Sequence, residues 1–273
     1  TKPATFETSA RRNVAYLIES VGDKDMATYT SLDAGSFRDY LLDKELAGAS
    51  VKRIFSSIKA IYNLAASEHG LDGKNPFSKV YFPETNDTKT RRPATEAELS
   101  MIQTECISIN DEIRWLIALV SDTGMRLSEA AGLYWTDVQL DGEIPHIIIQ
   151  PNAHRRLKTA SSERIIPVVG FSLWALKQAK AHATGPHVYP KYMKGTTCSA
   201  NSASAATNKW IKSLVNSDIS MHSLRHSMRD RLRSAQCPTE VIDQIGGWSS
   251  GSVGSKYGLG YPIHILQEWM LKM

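Results

Sequence analysis

A polar segment bounded by two prolines, residues 83–93, divides the chain into two parts. It reads Pro-Glu-Thr-Asn-Asp-Thr-Lys-Thr-Arg-Arg-Pro, a composition that cannot fill a core and is typical of an exposed linker. Each part must therefore bury its apolar residues around a core of its own, and 273 residues are enough for two such cores. We accordingly predict two domains, residues 1–86 and residues 87–273.

The first part has the apolar spacing of helices. Its clearest run repeats at steps of three and four residues and comprises Val51, Ile54, Phe55, Ile58, Ile61, Tyr62 and Ala65. Such spacing places the apolar side chains on one face of a helix, and Ser50 is a suitable residue to cap its start. Residues 8–21 and 34–46 show weaker versions of the pattern, so this domain is predicted to be helical.

The second part mixes helical and strand patterns. Thr95 and Glu98 form a capping-box sequence, and the apolar run 113–120 predicts a buried helix. Two β-branched runs flank a polar, basic stretch and predict a hairpin: residues 144–149 and 165–169. Helical patterns return near residues 172–183, 203–215 and 223–235, then from 239 to the Gly246-Gly247 pair, with an amphipathic tail at 263–273. The predicted fold class is mainly α with a small β-sheet (α+β).

Composition and charge exclude some classes of protein. The net charge is +4, and the excess lies in residues 91–273, which hold 20 Lys/Arg against 16 Asp/Glu, whereas residues 1–90 hold 12 of each. Without visible clustering, this balance does not by itself identify a nucleic-acid binder. Neither a membrane span nor a secretory signal is predicted. Three widely spaced cysteines predict reduced thiols rather than a disulfide framework or a zinc site.

Four residues from three separate parts of the chain suit one chemistry. His222 and Arg225 form a His-x-x-Arg, Arg126 follows a Thr-Gly-Met sequence, and Tyr257 comes 32 positions after Arg225. A phosphodiester is negatively charged and gains charge in the transition state, which planar guanidinium groups can neutralise. A tyrosine can then act as the nucleophile. The set predicts a site that holds and attacks a phosphodiester without a metal ion.

These motifs, in this order and spacing, resemble those of the tyrosine recombinase (phage integrase) family. The resemblance covers residues 91–260 by motif and extends more loosely to residues 1–90, which are similar to the helical core-binding domain that clamps DNA in this family. It implies that the second domain is a mixed α/β catalytic domain of the integrase type.

The resemblance also implies a role for each residue of the four. Arg126 and Arg225 match the two arginines that bind the scissile phosphate. His222 matches a residue that aids proton transfer or binds a phosphate oxygen. Tyr257 matches the nucleophile, and the glycines around it suggest a segment that can enter and leave the site.

Three further residues take roles from the same resemblance. Glu129 stands where members carry an acid that orients the first arginine. Lys158, on the connection between the two predicted strands, is implied as the general acid for the leaving 5′ oxygen. Trp248, in Ile-Gly-Gly-Trp-Ser-Ser, replaces the histidine of most members. Because an indole N–H donates a hydrogen bond but exchanges no proton near neutral pH, this replacement assigns more of the proton transfer to Lys158.

Several assignments have alternative interpretations. Arg126 and Glu129 can instead form a local ion pair on the surface, and Trp248 can be a core residue that follows a helix-ending glycine pair. Tyr261 competes with Tyr257 for the role of nucleophile, although it comes four residues late for the spacing of the family.

Other basic residues near the motifs are left open or receive no catalytic role. Lys158 can belong to a solvated loop, or Arg155 or Arg156 can take its place. His226 is expected to point away from His222 and to serve in packing or in a structural hydrogen bond. The remaining arginines of that helix are assigned by default to a solvated face: Arg229, Arg231 and Arg233.

The function implied by the resemblance is site-specific recombination. Such an enzyme cuts and rejoins duplex DNA through a covalent 3′-phosphotyrosine, with four protomers on two DNA sites and no metal or other cofactor. Accessory DNA-bending proteins are possible partners, and the implied location is the cytoplasm of a bacterial or phage-infected cell, at the nucleoid, away from membranes. Two alternatives stay open: strand cleavage of the type IB topoisomerase kind, and a DNA-binding relative that no longer cleaves.

Two surfaces are candidates for further contacts. The polar face opposite the apolar face of the 51–65 helix could lie in a major groove of DNA, or could simply be solvated: Lys52, Ser56, Lys59 and Asn63. The tail at 263–273 is expected to dock either on a neighbouring protomer or on its own domain.

Overall fold

The computed structural model describes residues 4–84, 92–152, 155, 157, 162–248 and 260–273. It contains two compact units, Thr1–Thr90 and Arg91–Met273. Each unit has its own hydrophobic core, so the apolar residues of the two parts of the sequence are buried separately.

The described residues of the first unit form helices, namely α1 (Ala4–Val21), α2 (Ser31–Asp43) and α3 (Gly48–His69). Val51, Ile54, Phe55 and Ile58 are buried, which confirms the helix predicted from their spacing. The predicted cap at Ser50 is wrong, because α3 begins two residues earlier and the Ser50 amide already donates to the Ala47 carbonyl at 2.7 Å.

Most of the described helices lie in the second unit. They are α4 (Glu96–Ile109), α5 (Glu112–Thr123), α6 (Leu127–Ala131), α7 (Gly170–Ala181), α8 (Ala200–Leu214), α9 (Met221–Ser234), α10 (Thr239–Gly246) and α11 (Ile263–Met270). Helix α5 lies at the centre, where it packs against α7 and α9. Its side chains Leu116, Ile117 and Leu119 have no exposed surface, so the end of α5 is held firmly in place.

The strands of the second unit form two small antiparallel sheets. The first has the order β1 (Val138–Gln139), β2 (His146–Ile149) and β3 (Arg164–Pro167), and the second pairs β4 (Met193–Lys194) with β5 (Thr197–Cys198). The predicted pairing of the two β-branched runs is confirmed, with Ile147 opposite Ile166. The sequence did not predict β1, β4 or β5, because two residues are too few to show a strand period. The predicted class, mainly α with a small β-sheet, is confirmed.

Helix α4 starts as its sequence predicts. Thr95 Oγ1 accepts from the Glu98 amide at 3.3 Å, and Glu98 Oε2 accepts from the Thr95 amide at 2.8 Å. Arg92 binds the same carboxylate at 2.6 Å and, as the largest cause, lowers the pKa of Glu98 to about 2. The first turn of the second unit is therefore fixed by one carboxylate.

The carboxylate of Asp122, near the end of α5, joins three helices. Its Oδ2 accepts from the amides of Phe171 and Ser172 at the start of α7, at 2.9 and 3.3 Å. Its Oδ1 accepts from both Nη atoms of Arg231 on α9, each at 3.0 Å. The assignment of Arg231 to a solvated face is therefore wrong, because its partner lies 109 residues away in sequence, where helix periodicity gives no information.

The tail packs on its own unit. Leu266 and Met270 of α11 are each 1% exposed and belong to the core of the second unit. Gln244 holds the entry to this helix, because its side chain accepts from the Tyr261 amide at 2.8 Å and donates to the Tyr261 carbonyl at 3.0 Å. Of the two docking modes left open by the sequence, the structure has the tail on its own domain.

Other expectations concern membranes and cysteines. In the ranges that the structure describes, no helix combines the length and apolar character needed to cross a membrane. The three cysteines are unpaired, as predicted, and burial raises the pKa of the Cys106 thiol to about 12.

Replacing Asp122 with alanine should destabilise the second unit by about 2–4 kcal/mol, because it removes the cap of α7 and leaves Arg231 without its ion-pair partner. Urea or thermal unfolding followed by circular dichroism measures the change. Asp230→Ala is the matched control, since it removes the exposed partner of Arg233 on α9 and should cost less than about 0.5 kcal/mol. Equal losses in the two variants would contradict the role given to Asp122.

Candidate active site

Arg126 stands at the junction of α5 and α6. Gly124 follows α5 as its C-cap residue, and Arg126 is the N-cap residue of α6, where its amide donates to Glu129 Oε2 at 3.0 Å. Helix α6 begins at Leu127, directly after Arg126. The guanidinium of Arg126 donates to Glu129 Oε1 at 2.7 Å, so a single carboxylate fixes both the backbone and the side chain of this arginine.

Glu129 also binds a second arginine. Arg164 Nη2, on β3, donates to Glu129 Oε2 at 2.9 Å, and the side chains of this pair are 2% and 5% exposed. Burial by itself raises the pKa of the Glu129 carboxyl, but the Arg164 charge and the hydrogen bonds from Arg164 and Arg126 outweigh burial and lower it. Glu129 is therefore ionised at neutral pH and orients two guanidinium groups at once.

The carboxyl end of α10 binds three arginines. The carbonyls of residues 245, 246 and 247 each accept from one guanidinium: in that order from Arg164 at 2.9 Å, Arg225 at 2.7 Å and Arg126 at 3.2 Å. The last carbonyls of a helix have no partner within the helix and carry its negative partial charge. They are therefore suited to hold cations that would otherwise repel one another.

A glycine is required where α10 ends. Gly247 has a φ of +63°, and a Cβ atom there would lie 2.8 Å from Arg164 Nη1. The prediction that the Gly246-Gly247 pair ends this helix is confirmed. The backbone can thus turn its carbonyls towards the arginines without a side chain in the way.

Arg225 is more deeply buried than Arg126. It is 4% exposed and donates to the carbonyls of Gly124 and Gly246. Burial, followed by the charges of Arg164 and Arg126, lowers the pKa of Arg225 to about 9. One carboxylate, Glu129, is shared by this group, so the site carries an excess of positive charge that favours a bound anion.

His222 lies one turn before Arg225 on α9. Ser220 caps this helix by accepting from the Ser223 amide at 3.4 Å. The His226 ring lies edge-on against the His222 ring, with centroids 4.6 Å apart. The expectation that His226 points elsewhere is wrong, because residues four apart share a helix face.

A cleft of about 240 Å³ brings the motif residues of α6 and α9 together. Its walls are Met125, Arg126, Leu127, Ser204, Asn208, Ser220, Met221, His222 and Arg225. The structure thus places three of the predicted site residues around one opening, with Glu129 behind Arg126.

Trp248 contacts the arginines of α9. The Cζ atoms of Arg225 and Arg229 lie 4.3 and 4.7 Å from the centroid of its ring. Arg229 also donates to Asp243 Oδ1 at 3.0 Å, so its assignment to a solvated face is wrong for the same reason as that of Arg231. The indole packs partly on the core, in agreement with the alternative that Trp248 is a core residue. It also packs on the two guanidinium groups.

Two predicted residues, Lys158 and Tyr257, lie outside the described residues, and their roles stay predictions. Arg155, one of the substitutes considered for Lys158, is described and is buried. Its side chain pairs with Asp137 at 2.9 Å and donates to the Gln150 carbonyl at 3.0 Å. Arg155 therefore has a structural environment away from the cleft, which disfavours it as the general acid.

The polar face of α3 belongs to the first unit. All four candidate residues are exposed: Lys52, Ser56, Lys59 and Asn63. Asn63 Oδ1 accepts from Asn75 Nδ2 at 2.6 Å, and Ser56 donates to the Lys52 carbonyl at 3.0 Å. Two of the four polar side chains are therefore already used within the unit, and the lysines remain the stronger candidates for contacts.

Sequence reasoning missed three residues of the site. Ser204 and Asn208 on α8 line the cleft, and Asn208 Oδ1 accepts from the Met221 amide at the start of α9, at 2.8 Å. Neither residue has a distinctive sequence signal. Arg164 alternates in β3 with the exposed Ile165 and so faces inward, but two adjacent isoleucines do not show in the sequence which of them is buried.

Comparisons with known proteins point to one family. The family model described as the phage integrase family matches residues 94–258, more than half of the chain. Tyrosine recombinase XerC of Pediococcus pentosaceus is 25% identical over 256 residues, which are 88% of this chain and 81% of that protein.

Solved structures show the same fold. The integrase of transposon Tn1549, in complex with a circular intermediate DNA, has a TM-score of 0.73 at 16% identity, with 100% of this chain and 95% of that one covered. A lambda integrase tetramer bound to a Holliday junction has a TM-score of 0.69 at 17% identity, with 94% and 72% covered. The chain therefore belongs to the phage integrase family and is a tyrosine-type, site-specific DNA recombinase.

Proposed function

We propose that this recombinase cuts and rejoins duplex DNA through a covalent 3′-phosphotyrosine on Tyr257. The observation that carries the proposal is the group of three guanidiniums at the carboxyl end of α10, of which Arg126 and Arg225 line the cleft. Such a fixed positive site binds a phosphate group and stabilises the extra charge of its pentacoordinate transition state.

Each residue has a defined part in this reaction. Arg126 and Arg225 bind the two non-bridging oxygens of the scissile phosphate, and His222 donates to an oxygen or accepts the tyrosine proton. The Tyr257 oxygen attacks phosphorus, and the bond to the 5′ oxygen breaks. Lys158 gives that oxygen its proton. A 5′ hydroxyl of the partner strand then reverses the step, and neither a metal nor a nucleotide is consumed.

The partners follow from the same chemistry. We infer that residues 1–86 and 87–273 act as two domains that clamp duplex DNA, with the exposed lysines of α3 among the contacts. A homotetramer on two DNA sites is the proposed assembly, and the lambda integrase neighbour is a tetramer on a Holliday junction. Accessory DNA-bending proteins belong to the same proposal, and the proposed location is the nucleoid in the cytoplasm.

The nucleophile can be tested with a nicked suicide duplex, whose sequence comes from genomic DNA trapped covalently on the protein. The wild-type chain should form an adduct that survives denaturing electrophoresis. Tyr257→Phe should form none, because phenylalanine has no oxygen to attack phosphorus.

Tyr261→Phe is the matched control and should retain the adduct, because the contacts of Tyr261 with Gln244 are made by its backbone, which the substitution keeps. An adduct in Tyr257→Phe would overturn the choice of nucleophile. Absence of an adduct in the wild type would favour a relative that binds DNA without cleaving it, and relaxation of supercoiled DNA without strand exchange would favour topoisomerase-like activity.

The excess charge of the arginine group can be tested without DNA. At constant ionic strength, sulfate should raise the Tm by about 2–4 °C, because a bound dianion offsets the cost of burying like charges. Burial and the neighbouring arginine charges lower the pKa of Arg225 in the folded chain, so its charge costs stability at neutral pH, and a bound anion offsets that cost. Differential scanning fluorimetry at pH 7 measures the shift in Tm.

Arg225→Gln should lose most of the sulfate effect, because it removes the buried charge. Arg233→Gln is the control on the same helix, since Arg233 is exposed and pairs with Asp230. If both variants respond to sulfate like the wild type, the anion binds elsewhere and the excess charge of this group is not what attracts it.

A further inference from the structure

Arg229 lies one helical turn after Arg225, on the same face of α9. Its guanidinium donates to Asp243 Oδ1 on α10 at 3.0 Å, and the two side chains are 27% and 11% exposed. This ion pair joins the helix that carries Arg225 to the helix whose last carbonyls bind the arginine group. It therefore lies beside the cleft residues without lining the cleft itself.

The indole of Trp248 contacts both arginines of this face. Arg225 Cζ lies 4.3 Å and Arg229 Cζ 4.7 Å from its ring centroid, distances at which a guanidinium is attracted to an aromatic ring. The position of the ring depends on Gly246, because a Cβ atom there would lie 1.8 Å from ring carbon Cζ3. A side chain at 246 would therefore displace the indole from the arginines.

Arg225 needs a support of this kind more than Arg126 does. Arg126 is oriented by the carboxylate of Glu129, whereas in the described part of the chain Arg225 forms no ion pair and is held by two carbonyls and the indole. A carbonyl accepts over a broad range of directions, so two carbonyls restrain the plane of a guanidinium weakly. A flat ring against its face restrains that plane directly.

Asp243 explains how a fourth arginine is tolerated here. The charge of Arg229 is among those that disfavour the charged form of Arg225. Pairing with Asp243 neutralises Arg229, so this side chain can pack on the indole while it adds little net charge to the site.

We propose that Arg229, held by Asp243, is a positioning residue that sets the orientation of Arg225 through the indole of Trp248. The inference rests on the proposed function, since it concerns the orientation of an arginine that is proposed there to bind the scissile phosphate. Arg229 touches neither the phosphate nor the reacting atoms, so its loss should slow cleavage and leave the affinity for DNA nearly unchanged.

The test measures single-turnover adduct formation on the nicked suicide duplex at saturating protein, with the Kd for the same duplex measured separately. Arg229→Ala should slow adduct formation about tenfold and change the Kd less than about twofold. Arg229→Lys should recover most of the rate, because lysine keeps a cation for Asp243 and for the ring. Arg233→Ala, an exposed arginine of α9, should cleave at the wild-type rate.

A double-mutant cycle separates this role from general stabilisation. In a Trp248→His background, Arg229→Ala should change the rate less than about twofold, because the indole that contacts both guanidiniums is replaced by a smaller imidazole. An equal loss in both backgrounds would overturn the proposal, as would wild-type cleavage by Arg229→Ala. A wild-type chain that forms no adduct would instead refute the proposed function.

Circular dichroism and the Tm establish whether each variant is folded. If Arg229→Ala does not fold, Asp243→Asn takes its place in the cycle, because asparagine keeps the shape and a hydrogen-bond acceptor but removes the charge. It should slow cleavage about threefold with Trp248 present and have no effect in the Trp248→His background. An equal loss in both backgrounds would overturn the proposal in this arm too.

Discussion

Three guanidiniums share the last carbonyls of α10, and the candidate active site depends on this contact. Burying like charges is unfavourable, which the lowered pKa of Arg225 reflects. The carbonyls of residues 245–247 and the single carboxylate of Glu129 offset part of that cost and fix the direction of each guanidinium. The remaining excess of positive charge is what a phosphodiester can neutralise. The repulsion among the arginines is therefore relieved when a negatively charged group binds. It is relieved most by the group with the most negative charge, which is the phosphodiester in its transition state.

The fold supplies this contact through a few long-range bonds between helix ends. Asp122 ties the end of α5 to α7 and α9, and Glu129 ties α6 to β3. The end of α5 at Gly124 then offers its carbonyl to Arg225. Because α5 lies at the centre of the core, a change in helix packing would move the arginines relative to one another. The catalytic geometry is thus a property of the whole second unit.

The sequence predicted the parts of this site that depend on local pattern. Helix periods located α3 and α9, and motif spacing located Arg126, His222 and Arg225, which the structure places around one cleft. It failed where the partner is distant in sequence. Arg229 and Arg231 look like surface residues on a helix, and nothing local shows that Asp243 and Asp122 lie beside them. The spacing of charged residues along a helix shows which of them share a face. It does not show which residues of other helices pack against that face.

Because residue 248 is a tryptophan, charge stabilisation and proton transfer are assigned to different residues of the site. An indole cannot exchange a proton near neutral pH, so it serves charge and orientation alone. The described polar groups around the indole and the arginine group are guanidiniums, carbonyls and the carboxylates of Glu129 and Asp243, which are paired with arginines. In the proposed mechanism, proton transfer is assigned to His222 and Lys158. The residues proposed to stabilise charge are fixed by contacts within the core of the second unit. Gly246 is one of the residues on which this depends, because it makes room for the ring that contacts Arg225.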